Sequence, residues 1–239
     1  MGRHECGLVA KRFWKAAMAE ACEGGFAVQL DGRAVKTPAK TPLVVPTPAM
    51  ALAIAGEWDA QEGTIRPETM PMTRAANSAL DKVTPQFDEV AGLIAAYGAS
   101  DLLCYRATQP VELVARQARA WDPQLDWAAT ALHAPLRVTH GIIHVTQPVD
   151  AVARLSAEVR ACTPFELAAL HDLVMITGSL VLGLAVTRDH LDADRAWNLS
   201  RIDETWQAEL WGIDDVAAES EAIRRAALVD AGRFYGLCR

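Results

Sequence analysis

Thr163-Pro164-Phe165-Glu166, followed by LAALHDLVMITGSLVLGLAV at Leu167–Val186, is the stretch that decides the architecture of this 239-residue chain. Thr163 offers an N-cap hydroxyl, Pro164 fits the first helical position, and Glu166 stands where its carboxylate reaches back to the cap backbone, so the segment opens with a capping box. The run from Leu167 is apolar on every side. A helix without a polar face must be surrounded by protein. The uncharged run Leu173–Val186 falls short of the roughly 20 residues that span a bilayer, and it comes after His171 and Asp172. The stretch therefore reads as the buried central helix of a bundle. Gly178, Ser179 and Gly183 lower its propensity but let a neighbouring backbone approach closely.

Downstream, Asp192 is placed to cap a helix that stops at Gly212. At about 100° per residue, Leu199, Ile202, Trp206 and Leu210 form one apolar stripe of it, and Trp197, Arg201, Glu204, Ala208 and Trp211 form the opposite one. Either both stripes are buried, with Arg201 and Glu204 neutralising one another at i, i+3 spacing, or the first docks on the bundle and the second meets a partner. A last helix starts acidic at Asp214, Asp215, Glu219 and Glu221 and turns basic at Arg224 and Arg225, matching its dipole.

Upstream the texture is mixed. Phe26, Val28 and Leu30 alternate with Ala27 and Gln29, Asp31-Gly32 supplies a two-residue turn, and Arg33–Thr37 returns in a β-compatible pattern, so a hairpin is expected, with a short strand at Leu43–Val45. Thr47-Pro48 opens a helix through Met50, Leu52, Ile54 and Trp58, a second is expected over Arg74–Lys82, and Thr84-Pro85 opens a third ending near Tyr97-Gly98. Pro110 starts a helix that Pro123 should kink or interrupt. Leu136–Val145, rich in Val, Thr and Ile, reads as extended. The fold class is α+β, with a mixed α/β part over residues 1–98 carrying the hairpin and a mainly helical part over 99–239.

The bulk numbers narrow the function. A composition of 51% apolar and 22% charged residues is globular, and the net charge of −7 repels nucleic acid and anionic membranes. Five scattered cysteines, Cys6, Cys22, Cys104, Cys162 and Cys238, contain no C-x-x-C pair and fit a reducing compartment. Met1–Lys15 has neither the apolar core of a secretion signal nor an amphipathic leader. Phosphate-loop, dinucleotide and nucleophile-elbow motifs are absent, so no cofactor is expected. His140 and His144 lie in a strand-like stretch, roughly 13 Å apart on one face and too far to share a zinc ion. Asp203 and Glu204 diverge by about 100° on a helix and would not flank one bond. With a histidine supplied by the fold, either could still be the acid/base of a small-molecule enzyme, which is the alternative to a binding protein.

Several segments carry a resemblance in order and spacing: Lys11-Arg12-Phe13-Trp14-Lys15, Leu30–Pro38, Glu57-Trp58-Asp59-Ala60-Gln61, Met70-Pro71-Met72-Thr73, Asp101–Ala107, Trp121-Asp122-Pro123 with Trp127, and Leu199–Gly212. Together they resemble the assembly chaperones for the alpha subunit of the catalytic sector of the F-type ATP synthase, over about Lys11 to Leu237. The resemblance implies a protein without catalytic activity that holds the new alpha subunit until the beta subunit replaces it. It also implies a small mixed N-terminal part followed by an orthogonal helical bundle. The family's functional acidic position matches Glu204, with Asp203 beside it; Trp206 stands where the family often has Tyr. The expected contact residues are Glu204, Asp203, Trp197, Gln207 and Trp211. The expected setting is the bacterial cytoplasm, or the mitochondrial matrix for an organellar member.

Overall fold

The structure is a computed structural model that describes residues 11–212 and 214–239; Cys6 and most of the stretch read for a leader lie outside them. Strands β1 (Ala17–Cys22) and β2 (Gly25–Leu30) pair antiparallel, with Ala17 opposite Leu30. The Asp31–Gly32 turn brings β3 (Arg33–Ala34) back along the other edge of β2, where β4 (Val44–Val45) also pairs, opposite Phe26 and Ala27. The hairpin and the short strand agree with the sequence reading. Strand β1 was not legible, because its sequence, AMAEAC, is mostly exposed and leaves no alternation to read.

Helix α1 (Pro48–Asp59) is capped by the Thr47 hydroxyl, which accepts from the Met50 amide at 3.1 Å. Its Met50 and Ile54 pack on Val28, Leu30, Leu43, Val45 and Trp14 to make the first apolar core. Helix α2 (Pro71–Ser78) begins earlier than expected, and passes through a π-helical turn, Ala79–Val83, and a 3₁₀ turn, Thr84–Gln86, into α3 (Phe87–Ala96).

Beyond this point helices dominate. Strands β5 (Tyr105–Arg106) and β6 (Thr139–His140) pair in parallel, so the extended stretch expected at Leu136–Val145 shrinks to two residues. Helix α4 (Val111–Ala131) continues through Pro123, so of the expected kink or interruption the interruption does not occur. Leu113, Gln117, Trp121, Gln124, Leu125 and Ala128 form one buried face across the proline, and packing of that face outweighs one lost backbone bond. After α5 (Val149–Arg160) comes α6 (Pro164–Thr177), whose capping box is complete: Thr163 Oγ1 accepts from the Glu166 amide and Glu166 Oε2 accepts from the Thr163 amide.

Helix α6 is the expected centre. Leu167, Leu170 and Val174 belong to the second and larger core, Ala169 to the first, and Leu173 packs with Trp197, Leu228 and Ala231. It is not one helix to Val186, however. Gly178, at φ 71°, ends it, and Ser179 caps a new helix, α7 (Leu180–Thr187). The cause is Asp101, wholly buried, whose carboxylate accepts from Ser179 Oγ at 2.7 Å and from the amides of Val181 and Leu103 at 2.9 and 3.0 Å.

The helix expected from Asp192 to Gly212 is likewise two, α8 (Ala193–Ser200) and α9 (Ile202–Trp211), broken at Arg201. Helix α10 (Asp215–Gly236) closes the chain and sends Phe234 into the first core. Among the described residues no helix is long and apolar enough to cross a membrane.

Candidate partner-binding surface

The break at Arg201 (φ −110°, ψ 19°) builds the site. The Arg201 side chain is nearly buried and stacks over the Trp197 ring at 5.0 Å. Its Nη1 donates to Glu204 Oε1 at 2.5 Å and lies 3.9 Å from Glu221 Oε1, while Nη2 donates to the Ile176 carbonyl at 3.2 Å. Arg224 donates to that same carbonyl at 3.3 Å, so two cations meet the C-terminal end of α6, where the helix dipole favours them. Arg201 thus ties α6, α9 and α10 together, and Glu204 compensates its charge.

Helix α9 is held against α4 on another side. Asp203 Oδ1 accepts from Gln117 Nε2 at 2.6 Å, and Gln117 Oε1 in turn accepts from the Ala107 amide at 2.8 Å. Arg116 clasps Glu209 through two bonds of 2.9 and 3.0 Å and lies over the Trp206 ring at 5.4 Å. Burial pushes the Asp203 carboxyl above its ordinary range, the Gln117 bond opposes that, and the neighbouring Glu204 charge adds to it.

Among the described residues the apolar end of α9 is left without a partner: Leu210 is 57% and Trp211 78% exposed, and Gly212 then turns the chain toward α10. Trp197 and Leu210 exchange their expected places. Trp197 is 6% exposed, because the break at Arg201 removes it from the register of α9 and turns it onto Leu173, Leu228 and Ala231. Leu210 stays on the stripe of Ile202 and Trp206 in the same unbroken helix, but lies past the part of the main core that those two reach. Glu204 and Gln207 are exposed, Asp203 is half-buried, and Trp206 packs at the edge of the main core.

Comparison with known proteins decides the family. The profile of the family described as ATP12 chaperone protein matches residues 11–129. The crystal structure of Atp12 from Paracoccus denitrificans superposes with a TM-score of 0.94 at 54% identity, covering 96% of this chain and 99% of that one. The Atu1473 protein of Agrobacterium tumefaciens gives 0.93 at 40% identity, over 97% of this chain and 87% of its own. Protein atp12, mitochondrial, of Schizosaccharomyces pombe is 26% identical over 214 residues, 84% of this chain and 74% of that protein. The chain belongs to the ATP12 chaperone family. It is an assembly chaperone and not an enzyme.

Membership sharpens the remaining motifs, most of which are structural ties. Arg12 donates to the carbonyls of Trp14, Lys15, Asp59 and Gln61, stapling the entry of the chain to the end of α1. Glu57 accepts from the Met72 and Thr73 amides at 2.7 and 2.8 Å and from the Thr73 hydroxyl at 2.6 Å, acting as the N-terminal cap that α2 lacks locally. Gln61, only 4% exposed, accepts from the Arg66 amide. The acids and amide around Trp58 are therefore engaged rather than solvated.

The enzyme reading loses its geometry as well. Among the described residues neither Asp203 nor Glu204 is hydrogen-bonded to a histidine. His144 instead lies 3.1 Å from the Tyr105 hydroxyl, and His171 pairs with Asp172. Three of the thiols are held protonated: burial, reinforced by Asp101, pushes Cys104 up to about 12, and burial pushes Cys162 to about 11 and Cys238 to about 12. Gln117, Arg116, Glu209 and Glu221 were missed by sequence reasoning, since each partner lies far along the chain and no local pattern marks the pair.

Proposed function

We propose that this ATP12-family chaperone holds the free alpha subunit of the F-type ATP synthase catalytic sector and shields it from self-association until the beta subunit takes its place. The observation that carries the reading is the exposed end of α9, where Leu210 and Trp211 lie bare beside Glu204 and Gln207 on a helix anchored by Asp203 and Glu209. An exposed tryptophan on a rigid mount, next to a carboxylate, is the kind of anchor that dominates a protein interface. Release by competition for the same surface needs no nucleotide. Trp197 supports the mount from within. The higher identity to the two bacterial chains than to the mitochondrial protein supports a bacterial cytoplasmic setting.

The test is capture of alpha subunit from cells lacking beta subunit. Trp211→Ala should cut recovery several-fold with an unchanged melting temperature. Glu204→Lys leaves the buried Arg201 uncompensated and can unfold the joint, so Glu204→Gln, which keeps an acceptor for Arg201, is the cleaner charge test. Undiminished capture by both Trp211→Ala and Glu204→Gln would remove α9 from the interface; absence of alpha subunit from the wild-type capture would remove the client.

A further inference from the structure

We infer that the client's footprint continues from the bare end of α9, past the first turn of α4, onto the loop of residues 137–147, where Ile142 and Ile143 form its second apolar anchor. The inference rests on the client reading proposed above. A stable interface covers about 800 Å² on each partner. Two side chains such as Leu210 and Trp211, of roughly 200 Å² each, supply about half of that at most, so the footprint reaches further.

The hydrogen bonds of α4 give the direction. Trp121 Nε1 donates to the Leu199 carbonyl at 2.8 Å, Gln117 to Asp203 and Arg116 to Glu209, so the contacts step back along α4 as the chain advances into α9. Side chains on a helix lean toward its N-terminus, which aims Arg116, and with it the end of α9, at the first turn of α4. Val111 opens that turn and is 73% exposed. It lies about 7.5 Å along the axis from Arg116, at roughly 1.5 Å per residue. On the other side the chain leaving α9 carries Asp214 and Asp215, both exposed, and charge interrupts the apolar surface there.

Three residues before Val111, the Thr108 methyl lies 3.8 Å from where a Cβ on Gly141 would stand, which sets the loop against the start of α4. The loop is braced along its length. Gln147, 5% exposed, closes its base by accepting from the Arg137 amide at 2.7 Å and donating to the Arg137 carbonyl at 2.9 Å. Gly141, at φ 77°, donates its amide to the Arg106 carbonyl at 2.8 Å, and the Ala107 amide, directly after β5, donates to the same Gln117 that holds Asp203. Loop and α9 therefore share one mount. What the bracing holds out is bare: Ile142 is 98% and Ile143 74% exposed, and neither joins any of the three apolar cores. Adjacent isoleucines held in water bury nothing in the free protein, and a rigid mount lowers the ordering cost of binding. From Ala131 to Val149 the chain carries no Asp or Glu, against a net charge of −7 overall, so the tip meets its partner by apolar contact. The Val-, Thr- and Ile-rich stretch that pairs over only two residues thus gives its β-branched side chains to a surface instead of a sheet.

The experiment uses the full chain as bait for alpha subunit in cells lacking beta subunit, with the photo-crosslinking residue benzoylphenylalanine in place of Ile142, Trp211 or Leu52 in turn. Leu52, 63% exposed on α1, controls for bare apolar surface in general. Crosslinks to the captured subunit are expected from positions 142 and 211 and not from 52. Ile142→Ser combined with Ile143→Ser should lower capture about ten-fold at an unchanged melting temperature, and Leu52→Ser should leave it unchanged. If the melting temperature falls, the crosslink from position 142 alone decides. A crosslink from 211 without one from 142 overturns the inference and leaves α9 in the interface. Undiminished capture by the double variant, or an equal loss with Leu52→Ser, overturns it too. No crosslink from either position, or no alpha subunit in the wild-type capture, overturns the client reading and this inference with it.

Discussion

Arg201 and Asp203, two residues apart, carry their charges under opposite conditions. The guanidinium is nearly buried but compensated by Glu204, a carbonyl and an aromatic face. The carboxylate is half-buried and has a neutral donor, Gln117, beside the like charge of Glu204. Its pKa is raised on folding, so the folded state takes up a proton more readily than the unfolded one. Stability then falls as pH rises through the raised pKa. Asp203→Asn keeps the oxygen that accepts from Gln117 and removes the charge, and should raise the melting temperature at pH 7 by about 1–3 °C. The gain should shrink as pH is lowered through the raised pKa and vanish below the ordinary aspartate range, where both proteins are neutral at this position. A melting temperature at pH 7 no higher than wild type would show that the carboxylate is better solvated than its burial implies.

Two helices expected to be continuous are each split, and the causes differ. At Gly178 the chain adopts a left-handed conformation and Asp101 supplies the bonds that start α7. At Arg201 the side chain leaves the helix to reach Ile176 and Glu221. The Gly178 turn folds α7 back on α6 so closely that a Cβ on Gly183 would lie 2.7 Å from a methyl of the buried Val174 and 3.2 Å from Leu170. Close approach at Gly183 was legible in the sequence, but its partner turns out to be the preceding half of the same apolar stretch. Gly183→Ala should cost about 1–3 kcal/mol through overpacking, since both neighbours are fixed in the core, and lower the melting temperature by about 3–10 °C. Thermal denaturation of the variant checks this, and an unchanged midpoint would mean that α7 can slide. Where signals were local they were readable at this scale: the Thr47, Thr163 and Asp192 caps all form as the residue types suggest.

Across the whole molecule the first core is completed from the end of the chain. Phe234 and Ala169 pack with the sheet and α1, and Thr47 Oγ1 donates to the Leu237 carbonyl at 2.5 Å. We propose that the division near residue 98 separates two textures but not two independently folding units. Residues 1–98 alone should show no cooperative melt, whereas a sharp transition for that fragment would make it a domain in its own right. The sequence by itself determined the α+β class, the hairpin, the capped helix starts and the buried centre at Leu167–Val186, because turn chemistry, capping and periodicity act over a few residues. The order of the signature motifs also pointed to the chaperone family. Only the tertiary structure decided where the two long helices break, that Trp197 is core while Leu210 and Trp211 are bare, and that Ile142 and Ile143 stand out on a braced loop. Those outcomes rest on contacts such as Asp101 with Val181, Gln117 with Asp203 and Arg116 with Glu209, 80, 86 and 93 residues apart. No local pattern encodes such pairs, since their geometry exists only once the intervening chain has folded.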